Sequence, residues 1–252
     1  MPDIQVSVPP SPSATVIHDG IVFPLSVLHV LLAQGAAAEV RRRYEGEGDV
    51  FATILENRAF QEEFIASYLE ANRVFFTAIK SCLPATCRSI LDIGCGIGLI
   101  DLLLYRCCGA EKPVIYLFDK SVDLSSIQTA PTGFNQTYVF TASLEVTAEF
   151  LALNGVAPGD LRLCEVGNWS IAACRPVDFV FSRKSWGFHY PVSEYVDDVA
   201  DSLSDDGVVV TDVRLGQGGE RLLLERFTDV RPLQEAAKSA LMLARHPRPR
   251  AS

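Results

Sequence analysis

The chain contains no apolar run of the ~18 residues that a membrane-spanning helix requires. The longest candidate, residues 23–38, is interrupted by Pro24, His29 and Gln34 and is too short. No membrane partner is therefore expected. No basic segment opens the N-terminus, so a secretory leader is not expected, and the stretch through Pro9-Pro10-Ser11-Pro12-Ser13 reads as a mobile tail. Positive charge is in short supply: 22 Lys and Arg against 31 Asp and Glu give a net charge of −9. An acidic surface repels phosphate backbones, which argues against nucleic acid as a partner. Arg41-Arg42-Arg43 and the basic tail from Arg245 to Arg250 read as a solvated helix face and a solvated tail. Histidine is scarce, four in all, and no His/Asp/Glu group has metal-ligand spacing, so no catalytic metal is expected. The seven cysteines include no C-x-x-C pair, and Cys107 and Cys108 are adjacent. With a leader not expected, reduced thiols and a cytoplasmic location are the expectation.

What is present is enough for one large α/β unit: 252 residues, 48% of them hydrophobic, with no internal repeat. Residues 23–43 and 50–83 carry apolar side chains at helical spacing, as in Phe60, Phe64 and Tyr68, then Phe75, Phe76 and Ile79. Asn57 is placed to cap a helix and Pro84 to end the region, while Gly46-Glu47-Gly48 separates two helical stretches. From Arg88 onward, strands alternate with helices. Strands are expected at 89–93, 114–118, 161–166, 177–181 and 208–213, and a closing hairpin at 230–235 and 239–245. Helices are expected at 98–108, 144–154, 192–203 and 219–227; the third would present Tyr195, Val199 and Leu203 on one face. Residues 121–136 read as an irregular insertion, and Asp205-Asp206-Gly207 as a turn into the fifth strand. This alternation implies a mainly parallel sheet covered on both faces, with ligands bound beyond the C-terminal strand ends. The division follows as a tail and helical cap over residues 1–84 and an α/β core over 85–252.

The most specific stretch is Asp92-Ile93-Gly94-Cys95-Gly96-Ile97-Gly98, preceded by the apolar Ser89-Ile90-Leu91 and followed by a leucine-rich segment. It reads as strand, Gly-rich turn and helix N-terminus, where glycine permits positive φ and a close ligand approach. The dinucleotide fingerprint G-x-G-x-x-G needs a glycine at position 99, which is Leu, and G-x-x-x-x-G-K-[ST] is absent. Cys95 is small enough for a tight site. Asp119 ends the next apolar strand. A carboxylate there has the lone pairs to accept both hydroxyls of a ribose, which suits S-adenosylmethionine and NAD alike.

These residues resemble the first motif of class I S-adenosylmethionine-dependent methyltransferases. Asp92 to Gly98 matches that family's D-x-G-x-G-x-G pattern, and the strand order fits from Ser89 to Arg245. The resemblance implies an α/β, Rossmann-like, doubly wound, seven-stranded sheet with a C-terminal antiparallel hairpin, under an N-terminal helical cap. It implies that Gly94, Gly96 and Gly98, with Cys95, line the amino-acid and ribose parts of S-adenosylmethionine. Asp92 would lie near the methionine amino group and Asp119 on the ribose, with Lys120 beside it. The third-strand end would reach adenine; there Glu165-Val166-Gly167-Asn168 departs from the commonest acidic pattern and offers Asn168. Ser182, at the fourth-strand exit, is a further expected cofactor contact.

The exit loop, Ser182 to Pro191, has aromatic pairs around one histidine and is not the Asn/Asp-Pro-Pro-Tyr/Phe signature of enzymes that methylate nucleic-acid amines. Trp186, Phe188 and Tyr190 are expected to wall an acceptor site, and His189, with an ordinary pKa of ~6.5, to act as general base. His29, in the N-terminal third, is carried as a lid contact to substrate; His18 lies in the same third. The implied activity is direct methyl transfer to oxygen or nitrogen of a small metabolite or natural product, releasing S-adenosylhomocysteine, by a monomer or homodimer. A protein acceptor, an NAD(P)-dependent oxidoreductase and a non-catalytic S-adenosylmethionine-binding scaffold are the alternatives.

Overall fold

The computed structural model describes residues 15–33, 36–44, 57–121, 131–132, 135–138 and 143–250. The tail through Ser13, the Gly46-Glu47-Gly48 separator, the helical stretch expected at 50–56 and most of the insertion at 121–136 lie outside them. Among the described residues, β1 (Thr15–His18), β2 (Ile21–Pro24), α1 (Leu25–Ala33), α2 (Ala38–Tyr44) and α3 (Arg58–Lys80) precede β3 (Ser89–Ile93), α4 (Leu99–Cys107) and β4 (Val114–Asp119). Then come β5 (Pro131–Thr132), β6 (Asn135–Tyr138), α5 (Leu144–Leu153), β7 (Leu161–Glu165), β8 (Val177–Ser182), α6 (Val196–Ser202) and β9 (Leu203–Arg214). The order closes with α7 (Gly219–Arg226), β10 (Phe227–Glu235) and β11 (Ser239–Pro247).

Seven strands form one sheet in the order β10-β11-β9-β8-β3-β4-β7. All neighbours from β9 to β7 are parallel, and β11 is antiparallel to both β9 and β10. This is the expected Rossmann-like, doubly wound sheet with its C-terminal antiparallel hairpin. β3 and β8 are buried at every position, because helices cover both faces of a central parallel strand. Ile90 joins one apolar cluster with Phe75, Ile79, Phe179 and Phe181; Leu91 and Ile93 join another, with Val180, Trp186 and Val199. The chain leaves β3 toward β4 on one side, and β8 pairs on the other. The crevice between these diverging connections is where such sheets bind ligands.

The N-terminal third departs from an all-helical cap. Residues 23–24, expected to open a helical stretch, lie instead in β2, which pairs with β1 around the two-residue turn Asp19-Gly20. Both turn residues have positive φ (49° and 70°), the geometry of a tight hairpin turn that Asp-Gly favours. Asn57 does cap α3, its side chain accepting the Phe60 N–H at 3.0 Å. The N-terminal side chains Val16, Phe23, Leu28, Phe60 and Phe64 share one buried cluster with Ile97, Leu99, Leu117 and Phe150. The helix expected at 192–203 is a 3-10 turn, Val192–Glu194, followed by α6, whose buried face is Val196, Val199 and Ala200. Asp205-Asp206-Gly207 lies inside β9 as an irregularity against β8, between the pairs Val177↔Leu203 and Phe179↔Val208.

Candidate functional site

The glycine turn leaves β3 after Ile93 and enters α4 through its N-cap Gly98, with φ of 84° at Gly94, 54° at Gly96 and 73° at Gly98. Gly94 N–H donates to Phe118 O at 2.7 Å, tying the turn to β4. Thr147 on α5 donates its hydroxyl to Gly96 O at 2.5 Å, holding the turn from the opposite side. A Cβ on Gly94 would lie 2.2 Å from Ser185 Cβ. Glycine is required there because the β8 exit loop rests on the turn. Together these segments bound a cavity of about 290 Å³, at the small end of the range for ligand pockets.

One part of the crevice is acidic. Asp119 Oδ2 accepts the Gly96 N–H at 3.0 Å and Oδ1 the Lys120 N–H at 2.7 Å, which leaves the carboxylate further lone pairs. Burial raises its pKa to about 6 against the lowering effect of those two donors. Asp92 also lines the cavity, and its Oδ1 is buried without a hydrogen-bond partner. Beneath it, fully buried in the first turn of α4, is Asp101, whose carboxyl faces that of Asp92. Burial first, then Asp101, pushes the Asp92 carboxyl well above the usual range, and burial raises Asp101 as well. Two adjoining carboxyls removed from water do not both ionise; the pair holds a proton between them.

The β8 exit loop is built by hydrogen bonds. Ser182 donates its hydroxyl to Ile93 O at 2.7 Å and accepts the Trp186 N–H at 2.9 Å. Trp186 is wholly buried, its indole N–H donating to Val192 O at 3.0 Å. The N–H groups of His189 and Tyr190 both donate to Ser185 O, at 2.8 and 3.0 Å, which turns the loop back to the crevice. His189 Nδ1 is buried without a partner. Burial, then the charges of Arg214 and Lys184, lower the His189 pKa, so the imidazole is neutral near pH 7. Burial, then Asp119, raises the Tyr190 phenol.

Of the residues singled out in the sequence, Asp92, Gly94, Cys95, Gly96, Asp119, His189 and Tyr190 line this cavity. The others do not. Gly98 caps α4 and faces Thr147 and Leu151 on α5, 3.0–3.3 Å from where its Cβ would be. Lys120 contributes its backbone N–H to Asp119 and leaves its side chain exposed. Asn168 is exposed past the end of β7. Ser182 is consumed within the loop, and Trp186 packs in the core instead of walling an acceptor site. Phe188 lies under the Arg214 guanidinium, 4.6 Å from its ring centre, and edge-on to His189. His29 sits on α1, away from the cavity lining.

The structure adds Tyr68, Asn72, Arg183, Lys184 and Ser185 to the lining, and Asp101 below it. Tyr68 and Asn72 are one helical turn apart on α3, and Tyr68 reads in sequence only as part of an apolar face. Asn72 is buried, and its signal in the sequence is a polar residue at the next i+4 position of the apolar row Phe60, Phe64, Tyr68. Arg183-Lys184 was legible as two adjacent cations at a strand exit of an acidic chain. Asp101 was legible as a lone acid within Leu99–Tyr105. Among the described residues, no three His, Cys, Asp or Glu side chains gather as a metal site, and no helix is long and apolar enough to cross a membrane.

No protein-family model matches the chain, and no curated protein matches it. Among solved structures, it is similar to the precorrin-6y C5,15-methyltransferase of Geobacter metallireducens GS-15, at 14% identity and TM-score 0.48, over 70% of this chain and 88% of that one. It is similar to the O-methyltransferase TomG of Streptomyces achromogenes, at 16% identity and TM-score 0.47, over 75% and 85% of the two chains. The S-adenosylmethionine-dependent methyltransferase SibL aligns over 94% of this chain and 82% of its own, at 14% identity and TM-score 0.46. The likeness is one of fold, and the strand order above stands on this chain's own hydrogen-bonded ladder.

Proposed function

We propose that this chain is an S-adenosylmethionine-dependent methyltransferase that acts on oxygen or nitrogen of a small-molecule acceptor. The observation that carries the reading is the pair of buried carboxyls, Asp92 and Asp119, lining one crevice with the glycine turn at the C-terminal ends of β3 and β4. The fit to the cofactor is chemical. Asp119 keeps lone pairs for two ribose hydroxyls. The orphaned Asp92 Oδ1 suits an ammonium group, and binding a cation there would release the proton that Asp92 shares with Asp101. Leu99 in place of a third glycine favours this ligand over a dinucleotide.

When bound, S-adenosylmethionine supplies a methyl group activated on a positively charged sulfur. The protein then has to orient the acceptor in line, near ~3 Å, and keep water out. Tyr68 and Tyr190 bound the space, and the loop resting on Gly94 closes one side. Neutral His189 is matched to take a proton from a phenol, enol or amine. α3, which brings Tyr68 and Asn72, makes the N-terminal segment part of acceptor selection.

Calorimetry with S-adenosylmethionine, S-adenosylhomocysteine and NAD tests the cofactor. The adenosyl-methionine pair binds and NAD does not. Asp119→Ala weakens binding by about 10- to 100-fold, since a hydrogen bond to a charged group contributes ~1.5–3 kcal/mol. NAD binding alone would overturn the reading in favour of an oxidoreductase. Turnover against phenols, amines and carboxylates separates an enzyme from a sensor.

A further inference from the structure

The crevice separates its charges. Asp119 faces the glycine turn, the Cys95 thiol and Glu165, and Asp92 faces Asp101. The charge acting on Arg183 is that of Asp212, and the charges acting on His189 are those of Arg214 and Lys184. One end is therefore acidic and the other cationic, in a chain of net charge −9.

The cationic end is a built feature. Arg183 leaves β8 partly buried. Its Nη1 donates to Asn72 Oδ1 and its Nη2 to Ala71 O at 3.2 Å, and its guanidinium lies 5.2 Å from the Phe75 ring centre. Both oxygen acceptors are neutral, and Arg183 makes no salt bridge with a described residue. Two of its five N–H donors are used, which fixes the fork and leaves three. Lys184 has a left-handed backbone (φ 55°), which an L-residue adopts at a cost, and donates its N–H to the Asp212 carboxylate at 3.2 Å. Its ammonium is exposed at the cavity rim and also has no salt bridge with a described residue. Among the described residues, Asp212 is the one carboxylate that faces Arg183 and Lys184, and Arg214 adds a further cation beside His189, so the corner is net positive. An anion suits it, and the planar guanidinium fork pairs with a carboxylate in two parallel hydrogen bonds.

We infer that the methyl acceptor is a carboxylate-bearing small molecule, whose anionic group docks on Arg183 and Lys184 while its reacting atom lies toward His189 and Tyr190. This rests on the methyltransferase reading and narrows its acceptor. The other source of a carboxylate at this corner is the amino-acid end of the cofactor itself, and the test separates the two.

The probes are acetate, benzoate, 4-hydroxybenzoate and 4-hydroxycinnamate, each paired with its carboxamide and titrated into protein saturated with S-adenosylhomocysteine. The expected result is at least a tenfold preference for carboxylate over amide in the best-bound pair, falling below twofold in Lys184→Gln and in Arg183→Gln. Lys184 is exposed, so its variant stays informative if Arg183→Gln, which unties α3, does not fold. No preference in any pair, or a preference that survives Lys184→Gln, overturns the inference. So does an affinity loss that falls on S-adenosylhomocysteine but not on 5′-methylthioadenosine, which lacks the amino-acid end, because the corner then serves the cofactor. If S-adenosylhomocysteine does not bind the wild type at all, the cofactor reading fails. The carboxylate and amide titrations on the protein alone then decide the anion site separately.

Discussion

The buried carboxyl pair makes folding stability depend on pH in a direction the structure determines. Asp92, the penultimate residue of β3, is 4% exposed, and Asp101, in the first turn of α4, is 0% exposed. Burial raises both, and their proximity raises Asp92 further. Unfolded, each ionises near pH ~4; folded, the pair keeps a shared proton to higher pH. Between those limits the folded state holds about one more proton than the unfolded chain. Stability therefore falls as the pH rises, by about 1.4 kcal/mol per pH unit, and the contribution is gone above the pair's own pKa. Asp119 and Asp212, also raised mainly by burial, act in the same direction, so the wild-type curve alone does not isolate the pair. Asp101→Asn does. The introduced amide donates to Asp92 and removes the need for a proton. Urea unfolding at about pH 5, 6 and 7 is expected to show the variant gaining on the wild type by about 1.4 kcal/mol per unit. A difference that stays constant with pH would refute the shared proton.

His189→Ala leaves S-adenosylhomocysteine affinity unchanged and lowers kcat by ~10²–10⁴-fold; equal kcat removes His189 from proton transfer. Trp186→Ala costs ~3–5 kcal/mol of stability in a denaturant melt, because the indole fills the core; a loss under 1 kcal/mol would mean that the ring is not packed as described. Gly94→Ala loses S-adenosylhomocysteine binding and at least ~1 kcal/mol of stability, and adding Ser185→Gly restores part of both by removing the colliding side chain. Absence of any rescue would show that backbone strain, and not Ser185, makes glycine necessary.

Much of the core was legible because its signals are local. Ser89–Ile93 and Val177–Ser182 are short apolar runs whose length and flanking turn residues mark them as buried strands. The N-terminal hairpin was equally local, since Asp19-Gly20 sits between Val16-Ile17 and Ile21-Val22. The helical spacing downstream of Phe23 masks that signal in the sequence. The exit loop was read by composition, and composition does not say which way an aromatic ring points. Trp186 went to the core because Ser182, Thr211 and Val192 all bind its polar atoms. His189 and Tyr190 turned to the crevice because Ser185 O collects their N–H groups.

The sequence by itself determined the α/β alternation, the glycine turn and the acid at the end of β4. Strand propensity, positive φ and the reach of one βα unit are properties of neighbouring residues. Only the tertiary structure decided the crevice's other wall. Tyr68 and Asn72 stand more than a hundred residues from Arg183, and the guanidinium meets the buried amide because α3 packs across the sheet beside β8. The same holds for Gly94. Its positive φ is written in the turn, but the side chain that forbids a Cβ there belongs to Ser185, brought over it by the loop that leaves β8.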